Sequence, residues 1–279
     1  MFSFLKKNKE DVKVGDSVVE FNDVNIDFIN LMTFIKQKSG IDLFSKQEIS
    51  KQKISKFCIE KGIVSYLDLL NKVKSDSVLL QDLYNLITVC ETYFYREIKQ
   101  LNYAIKYIKE LSLKKSVKIL CAPCSSGEEV YSLCIMCDIA RIRNVQIIGI
   151  DINSDILEKA KAGIYSERSL QGVPDDVKNI YFLKENNFYK IKKDSFVLHD
   201  FKLVNVFDDK LFTLGSFDII FSRNMMIYFN EDEKRTLVSR FSKILNPEGI
   251  LFTGHADLVP QTDFFEKKFE SQTNFYKKI

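Results

Sequence analysis

The sequence predicts an α/β protein: a small all-helical N-terminal domain followed by a Rossmann-like domain built on a parallel, doubly wound sheet. Three observations carry this prediction. From about residue 117, short apolar runs (VKILC, VQIIGID, SFDIIFS, GILFTGH) alternate with helical stripes, the grammar of βα units. Before that point apolar residues recur only at helical spacing, with no Pro before Pro123. Between Tyr181 and Phe207 the runs FYKIKKDSFVLH and FKLVNVF alternate in short stretches, which predicts a small antiparallel β-insert.

Residues 1 to about 20 read as a mobile tail. MFSFLKKNKEDVK places an apolar stub before charge, the reverse of a secretory signal. Residues 21 to about 110 read as helical throughout, with a helical domain assigned to 21–88 and the α/β domain to 89–279. FINLMTFIKQKSG is apolar at 28, 29, 31, 32, 34 and 35 and stops at Ser39-Gly40, a usual helix end. QEISKQKISKFCIEKG repeats the stripe and ends at Gly62; YLDLLNKVKS and VLLQDLYNLITVC supply two more. In the second domain, GEEVYSLCIMCDIARIR reads as the helix after the first strand. SDILEKAKAGIY is a helix capped by Asn153 or Ser154, and EDEKRTLVSRFSKIL is a helix ending at Asn246-Pro247.

Composition narrows the function classes. Lys plus Arg total 41 against 38 acids, a net charge of +3, too balanced to imply nucleic-acid binding. No apolar run reaches the ~18–20 residues a membrane span needs. Four of the six cysteines crowd into residues 121–137, a poor disulfide framework for this length, so reduced thiols in a cytoplasmic protein are expected.

Those four cysteines lie in CAPCSSGEEVYSLCIMC, residues 121–137. Zinc would need both C-x-x-C pairs on turns facing one ion, yet Cys121 falls on a strand and Cys134 and Cys137 on the apolar stripe of a helix. Buried small hydrophobes are the plainer reading, and a redox pair ranks below both. What remains is a strand, a tight turn with Gly127, and a helix, where a ligand can approach bare backbone. There is no G-x-G-x-x-G and no G-K-[ST], and Glu128 and Glu129 would repel a pyrophosphate. A carboxylate there suits a ligand with a positive end. The second strand ends in Asp151, 24 residues after Gly127. Acids so placed take ribose hydroxyls in dinucleotide folds, at a spacing of about 20. Ribose plus a cationic amino acid without phosphate describes S-adenosylmethionine (SAM). Asp151 as a plain cap or turn acid stays open on position alone.

The motif resembles the SAM motif of the chemotaxis receptor methyltransferases, the CheR family, whose usual form is close to A-x-C-S-[ST]-G-E-E-P-Y-S. Three further blocks are similar and follow in the family's order: ETYFYRE at 91–97, IIGIDINSDILEKAKAGIYSERSL at 147–170, and RNMMIYFNEDEKRTLVSRFSKILNPEGILFTGHADLV at 223–259. The resemblance implies a class I SAM-dependent methyltransferase domain with an inserted antiparallel β-subdomain at about 181–207. It implies methyl transfer from SAM to glutamate side chains on the cytoplasmic part of chemoreceptors, leaving S-adenosylhomocysteine (SAH). The implied cofactor contacts are Thr92, Arg96, one of Glu128–Glu129 (Glu128, directly after the glycine, is preferred), Asp151, Asn205–Val206 and Arg223–Asn224. Three departures stand out: Cys90 where a member carries Asn, Val130 for the usual Pro, and GHAD at 254–257 for GHSE. On the last ground Asp257 is left out of the site.

The chemistry fits. A sulfonium is a good leaving group and a glutamate carboxylate is ionised at pH 7, so no general base and no metal is required. The protein aligns the reactants and strips water from the nucleophile. Arg96, after three aromatics, suits a bidentate clamp on a carboxylate; the bland alternative is a surface ion pair with Glu91 or Glu97. Tyr228 suits a hydroxyl bond to the acceptor, or else packs behind its loop as Phe229 does. His255 reads as a packed strand-end residue. Seven lysines (36, 38, 46, 51, 53, 56, 61) face three acids between Lys36 and Lys61, either a surface that steers acidic receptor helices or a solvated face. A monomer without nucleic-acid or membrane-inserted partners is expected. A catalytically silent SAM-binding scaffold, a methyltransferase for another carboxylate acceptor, and a dinucleotide oxidoreductase are the competing readings.

Overall fold

The apolar stripes of the N-terminal region become four helices in the structure, a computed structural model that describes residues 21–279. The tail expected before residue 21 lies outside the described residues. The helices are α1 (Asn25–Ser39), α2 (Gln47–Glu60), α3 (Tyr66–Val73) and α4 (Ser77–Ile87). Their core is Phe28, Leu31, Met32, Ile35, Ile54, Tyr66, Leu69 and Leu83, all fully buried. Ser65 caps α3 by accepting from the Asp68 N–H at 3.1 Å, and α2 ends where Gly62 turns left-handed, as C-terminal glycines do.

The described chain falls into two units, one holding Asp42–Ile87 with the residues up to Gln37, the other Lys38–Ile41 with Thr88–Ile279. Helix does not run unbroken to residue 110. Residues 88–97 form an irregular loop, and α5 (Ile98–Ser112) follows it in the second unit.

Seven strands form the main sheet: β1 (Val117–Cys121), β2 (Val145–Asp151), β6 (Leu198–Leu203), β7 (Phe217–Ser222), β8 (Leu245–Thr253), β9 (Phe265–Glu270) and β10 (Thr273–Lys278), in the order β6-β2-β1-β7-β8-β10-β9. The first five are parallel; β10 pairs antiparallel with β8 and β9. Alternate residues serve opposite faces. Ile119, Ile147 and Ile219 join α5, α6 (Glu128–Ile139) and α7 (Ser154–Ala162) in one cluster. Leu120, Ile148 and Ile220 join α9 (Glu231–Ile244) in the other. Cys121, Cys124, Cys134 and Cys137 are buried in the first cluster, and all six thiols are free. No helix among the described residues is long and apolar enough to cross a membrane.

The antiparallel insert is placed differently from the expectation over 181–207. The small sheet is β3 (Ile164–Ser166), β5 (Phe188–Ile191) and β4 (Phe182–Glu185), in the order β3-β5-β4. Its third strand comes from GIY, which the sequence reads as helix, because Gly163 at φ +67° ends α7 first. Residues 198–203 instead form β6, pairing parallel with β2. As a sheet edge β6 is mostly exposed, so its sequence alternates like an antiparallel strand. The terminal β9 (FEKKFE) and β10 (TNFYKK) are polar and carry no apolar run, and nothing in their sequence marks them as strands.

β1 is the middle of the five parallel strands, so its packing tests the fold. Ile119→Ala should cost about 3 kcal/mol, read as a lower urea midpoint with an unchanged slope.

Candidate functional site

The strand order reverses at β1, between β2 and β7, and doubly wound folds bind ligands beyond the carboxyl ends of such strands. The chain leaves β1 in a tight turn: the Cys124 N–H donates to the Ile150 carbonyl at 2.8 Å and the Gly127 N–H to the Cys124 carbonyl at 2.9 Å. Gly127 has φ +89°, and a Cβ on it would stand 3.0 Å from both the Ala160 Cβ and the Phe201 ring. Only glycine meets both demands. The turn is tied to the next strand by Asp151. One carboxylate oxygen accepts from the Ser125 N–H and the other from the Asn153 N–H, each at 2.9 Å. Burial pushes the Asp151 carboxyl up to about 6, against the pull of those backbone donors. Asn153, not Ser154, caps α7 through the Ile156 N–H.

The two glutamates after the glycine differ sharply. Glu129 is paired with Arg223 at 3.1 Å. Glu128 is 2% exposed and has no ion pair among the described residues. Its carboxylate accepts from the Ser126 hydroxyl at 2.6 Å. Burial raises its pKa, and the Ser126 and Ser169 hydroxyls draw it partly back. A buried carboxylate without a cation is the group to which a cationic ligand adds most.

Arg223 is itself buried and committed. Besides Glu129 it donates to the Arg96 carbonyl at 2.6 Å, and its Nε stands 3.8 Å from Glu97. It therefore holds the 91–97 loop. In that loop the Arg96 guanidinium donates to the Glu91 carbonyl at 3.1 Å and lies 5.6 Å over the Tyr93 ring. Neither ion pair expected for a surface arginine forms. Thr92 is half-buried in the same loop. Tyr95, Glu97, Ser125 and Asn224 are left-handed, four of the nine such non-glycine residues among the described ones, a concentration typical of functional loops.

Asp257, left out on sequence, organises the loop after β7. It accepts from the backbone N–H groups of Asn224, Met226 and Gly254. Gly254 is required there, since a Cβ would lie 2.9 Å from the Asn224 nitrogen. The signal was GHAD itself: a short acid three residues past a strand-ending glycine can reach back to the strand-end N–H. Tyr228 is half-buried, and burial is the main cause of its raised pKa. His255 is not packed: its side chain is 82% exposed and meets Glu97 at 3.0 Å. Asn205 follows β6 next to Asp151, whose carbonyl accepts from Val204. Its amide donates to the Lys38 carbonyl at 2.7 Å. Val206 is buried, and its carbonyl accepts from Arg240. The structure thus gathers Thr92, Arg96, Glu128, Asp151, Arg223, Asn224 and Tyr228 on loops at one sheet end, with Asn205 and Val206 beside Asp151. A cavity of about 830 Å³ is lined by Tyr93, Tyr95, Glu97, His255, Asp257 and Thr262 among others, and by none of those nine residues.

Asp257→Ala would strand three backbone donors. It should destabilise the protein by about 3 kcal/mol, measured by thermal unfolding against wild type.

Comparison with known proteins agrees with this geometry. Residues 90–275 match the family model described as the SAM binding domain of CheR methyltransferase, and residues 26–88 match its all-alpha domain. A chemotaxis protein methyltransferase of Campylobacter jejuni is 44% identical over 268 residues, 96% of this chain and 99% of that one. Chemotaxis protein methyltransferase 2 of Vibrio cholerae is 31% identical over 271 residues, 90% of this chain and 92% of that one. Both relatives are matched almost end to end. The chain belongs to the CheR methyltransferase family and is a SAM-dependent chemotaxis methyltransferase.

Proposed function

We propose that the enzyme methylates glutamate side-chain carboxylates on the cytoplasmic part of chemoreceptors, forming glutamate 5-O-methyl esters and SAH. The observation that carries this reading is the pair of buried carboxylates, Glu128 and Asp151, flanking one glycine turn. When bound, SAM supplies an electrophilic methyl group on a positively charged sulfur. Glu128 faces the cationic amino-acid end, where a positive charge relieves its burial. Asp151 takes ribose hydroxyls on the lone pairs left beside its backbone bonds. Thr92, Asn205, Val206 and Asn224 complete the cofactor contacts. Arg223 acts through Arg96, whose carbonyl one of its Nη groups holds while the other pairs with Glu129.

The acceptor needs no activation beyond ionisation and loss of water. Arg96 clamps a carboxylate, and Tyr228 offers its hydroxyl to the acceptor oxygen. Docking by a uniformly basic helical face is weakened by its own unit. Lys36, Lys51, Lys56 and Lys61 pair with Asp42, Asp23, Glu60 and Asp82. Electrostatic steering is accordingly small, and the apparent affinity for receptor should change only a few-fold between 50 and 300 mM salt. A steep dependence would restore the basic face as the docking element.

Three further results are expected. With labelled SAM and receptor-bearing membranes, base-labile label should leave the receptor band as methanol; label stable to base would exclude an ester. Arg96→Ala and Tyr228→Phe should fold normally and lower kcat/KM by about 10–100-fold, and full activity in both would remove them from the site. Ribose hydroxyls donate to the ionised form of Asp151, whose carboxyl titrates near 6 in the free protein. Binding therefore lowers its pKa and releases a proton. SAH affinity should be constant above pH 7 and fall by up to about tenfold per unit below 6. Asp151→Asn should flatten that profile, and a flat wild-type profile would contradict the role.

A further inference from the structure

The small sheet touches the glycine turn through one buried side chain. Tyr165, the middle residue of β3, is 4% exposed, and its hydroxyl donates to the Ser126 carbonyl at 2.8 Å. Ser126 is the residue whose own hydroxyl binds Glu128. The Tyr165 ring is met edge-on by Phe94 at 4.8 Å and by Tyr131 at 6.3 Å, and its backbone pairs with Tyr189 on β5. The turn that follows β3 makes three more links. The Ser169 carbonyl accepts from the Phe94 N–H at 2.9 Å, Ser169 also acts on the Glu128 carboxyl, and Arg168 meets Glu91 at 3.1 Å. Residues 165–169 thus grip the glycine turn and the 91–97 loop at once.

We propose that Tyr165 is a positioning residue for cofactor binding: carried on the small sheet, its hydroxyl fixes the Ser126 carbonyl and so the stance of Glu128, coupling the small sheet to the cofactor turn. The inference rests on the reading that Glu128 faces SAM. Coupling of this kind is reciprocal. A cofactor that orders the turn also orders β3 and β5, and a looser small sheet weakens the cofactor. Only the hydroxyl is at issue, because the ring serves the core with Phe94 and Tyr131.

The test is Tyr165→Phe, which keeps the ring. Calorimetry with SAH should show about tenfold weaker binding, the effect of one stranded buried carbonyl. KM for SAM should rise with it, while kcat at saturating SAM stays within about twofold. Tyr189→Phe, which removes the neighbouring hydroxyl with its contacts to Glu167 and Lys184, should leave SAH affinity unchanged; an equal loss there would reduce the effect to general loosening and overturn the proposal. In the wild-type enzyme SAH should slow hydrogen exchange at the β3 and β5 amides, a readout that needs no variant. Wild-type binding without that protection, or with equal affinity in Tyr165→Phe, overturns the coupling alone. No SAH binding to wild type overturns the cofactor reading and the coupling together.

Discussion

The site depends on one buried carboxylate that joins two turns. Asp151 ends β2, yet one of its carboxylate oxygens accepts from Ser125 in the turn after β1. Ser125 is left-handed, a conformation that costs a non-glycine residue about 1 kcal/mol or more. The bond to Asp151 and the hydroxyl bond to the Cys90 carbonyl hold it there. The carboxylate in turn is buried at the expense of its ionisation. In the free protein each half of this arrangement is strained or desolvated, and together they leave bare backbone and an acid at the sheet end.

A second hub is arginine. Arg223 sits between Glu129 and Glu97 and also holds the Arg96 carbonyl. Two acids thus share one buried cation, and the exposed His255 meets the outer acid from solvent. The chain of charges ties together loops from residues 91–97, 128–129, 223 and 255, which lie far apart in sequence. It explains why the 91–97 loop tolerates left-handed Tyr95 and Glu97: its carbonyls and acids are anchored from the sheet. Asp257 does the same for the loop after β7 by collecting three backbone N–H groups.

The architecture and the chemical core of the site were legible because both leave local patterns. Apolar runs of five to seven residues marked β1, β2 and β7, and SSGEE followed by Asp151 marked the turn and its acid. What stayed hidden acts over long sequence separation or through backbone. Tyr165 bonds a carbonyl 39 residues away, and Asp257, although GHAD marks it, acts on a backbone N–H 33 residues away. The family resemblance implied Arg223 as a cofactor contact; its partners, Glu129 and the Arg96 carbonyl, come from distant segments. β6 was misassigned because a sheet edge alternates like an antiparallel strand, and His255 because strand ends are usually packed.

A crystal structure of the SAH complex tests the central claim most directly. The account predicts the SAH ammonium within about 3 Å of a Glu128 oxygen and the ribose hydroxyls within the same reach of Asp151, with the Ser125–Asp151 bond intact. SAH bound elsewhere, or bound at the turn with both carboxylates untouched, would contradict it.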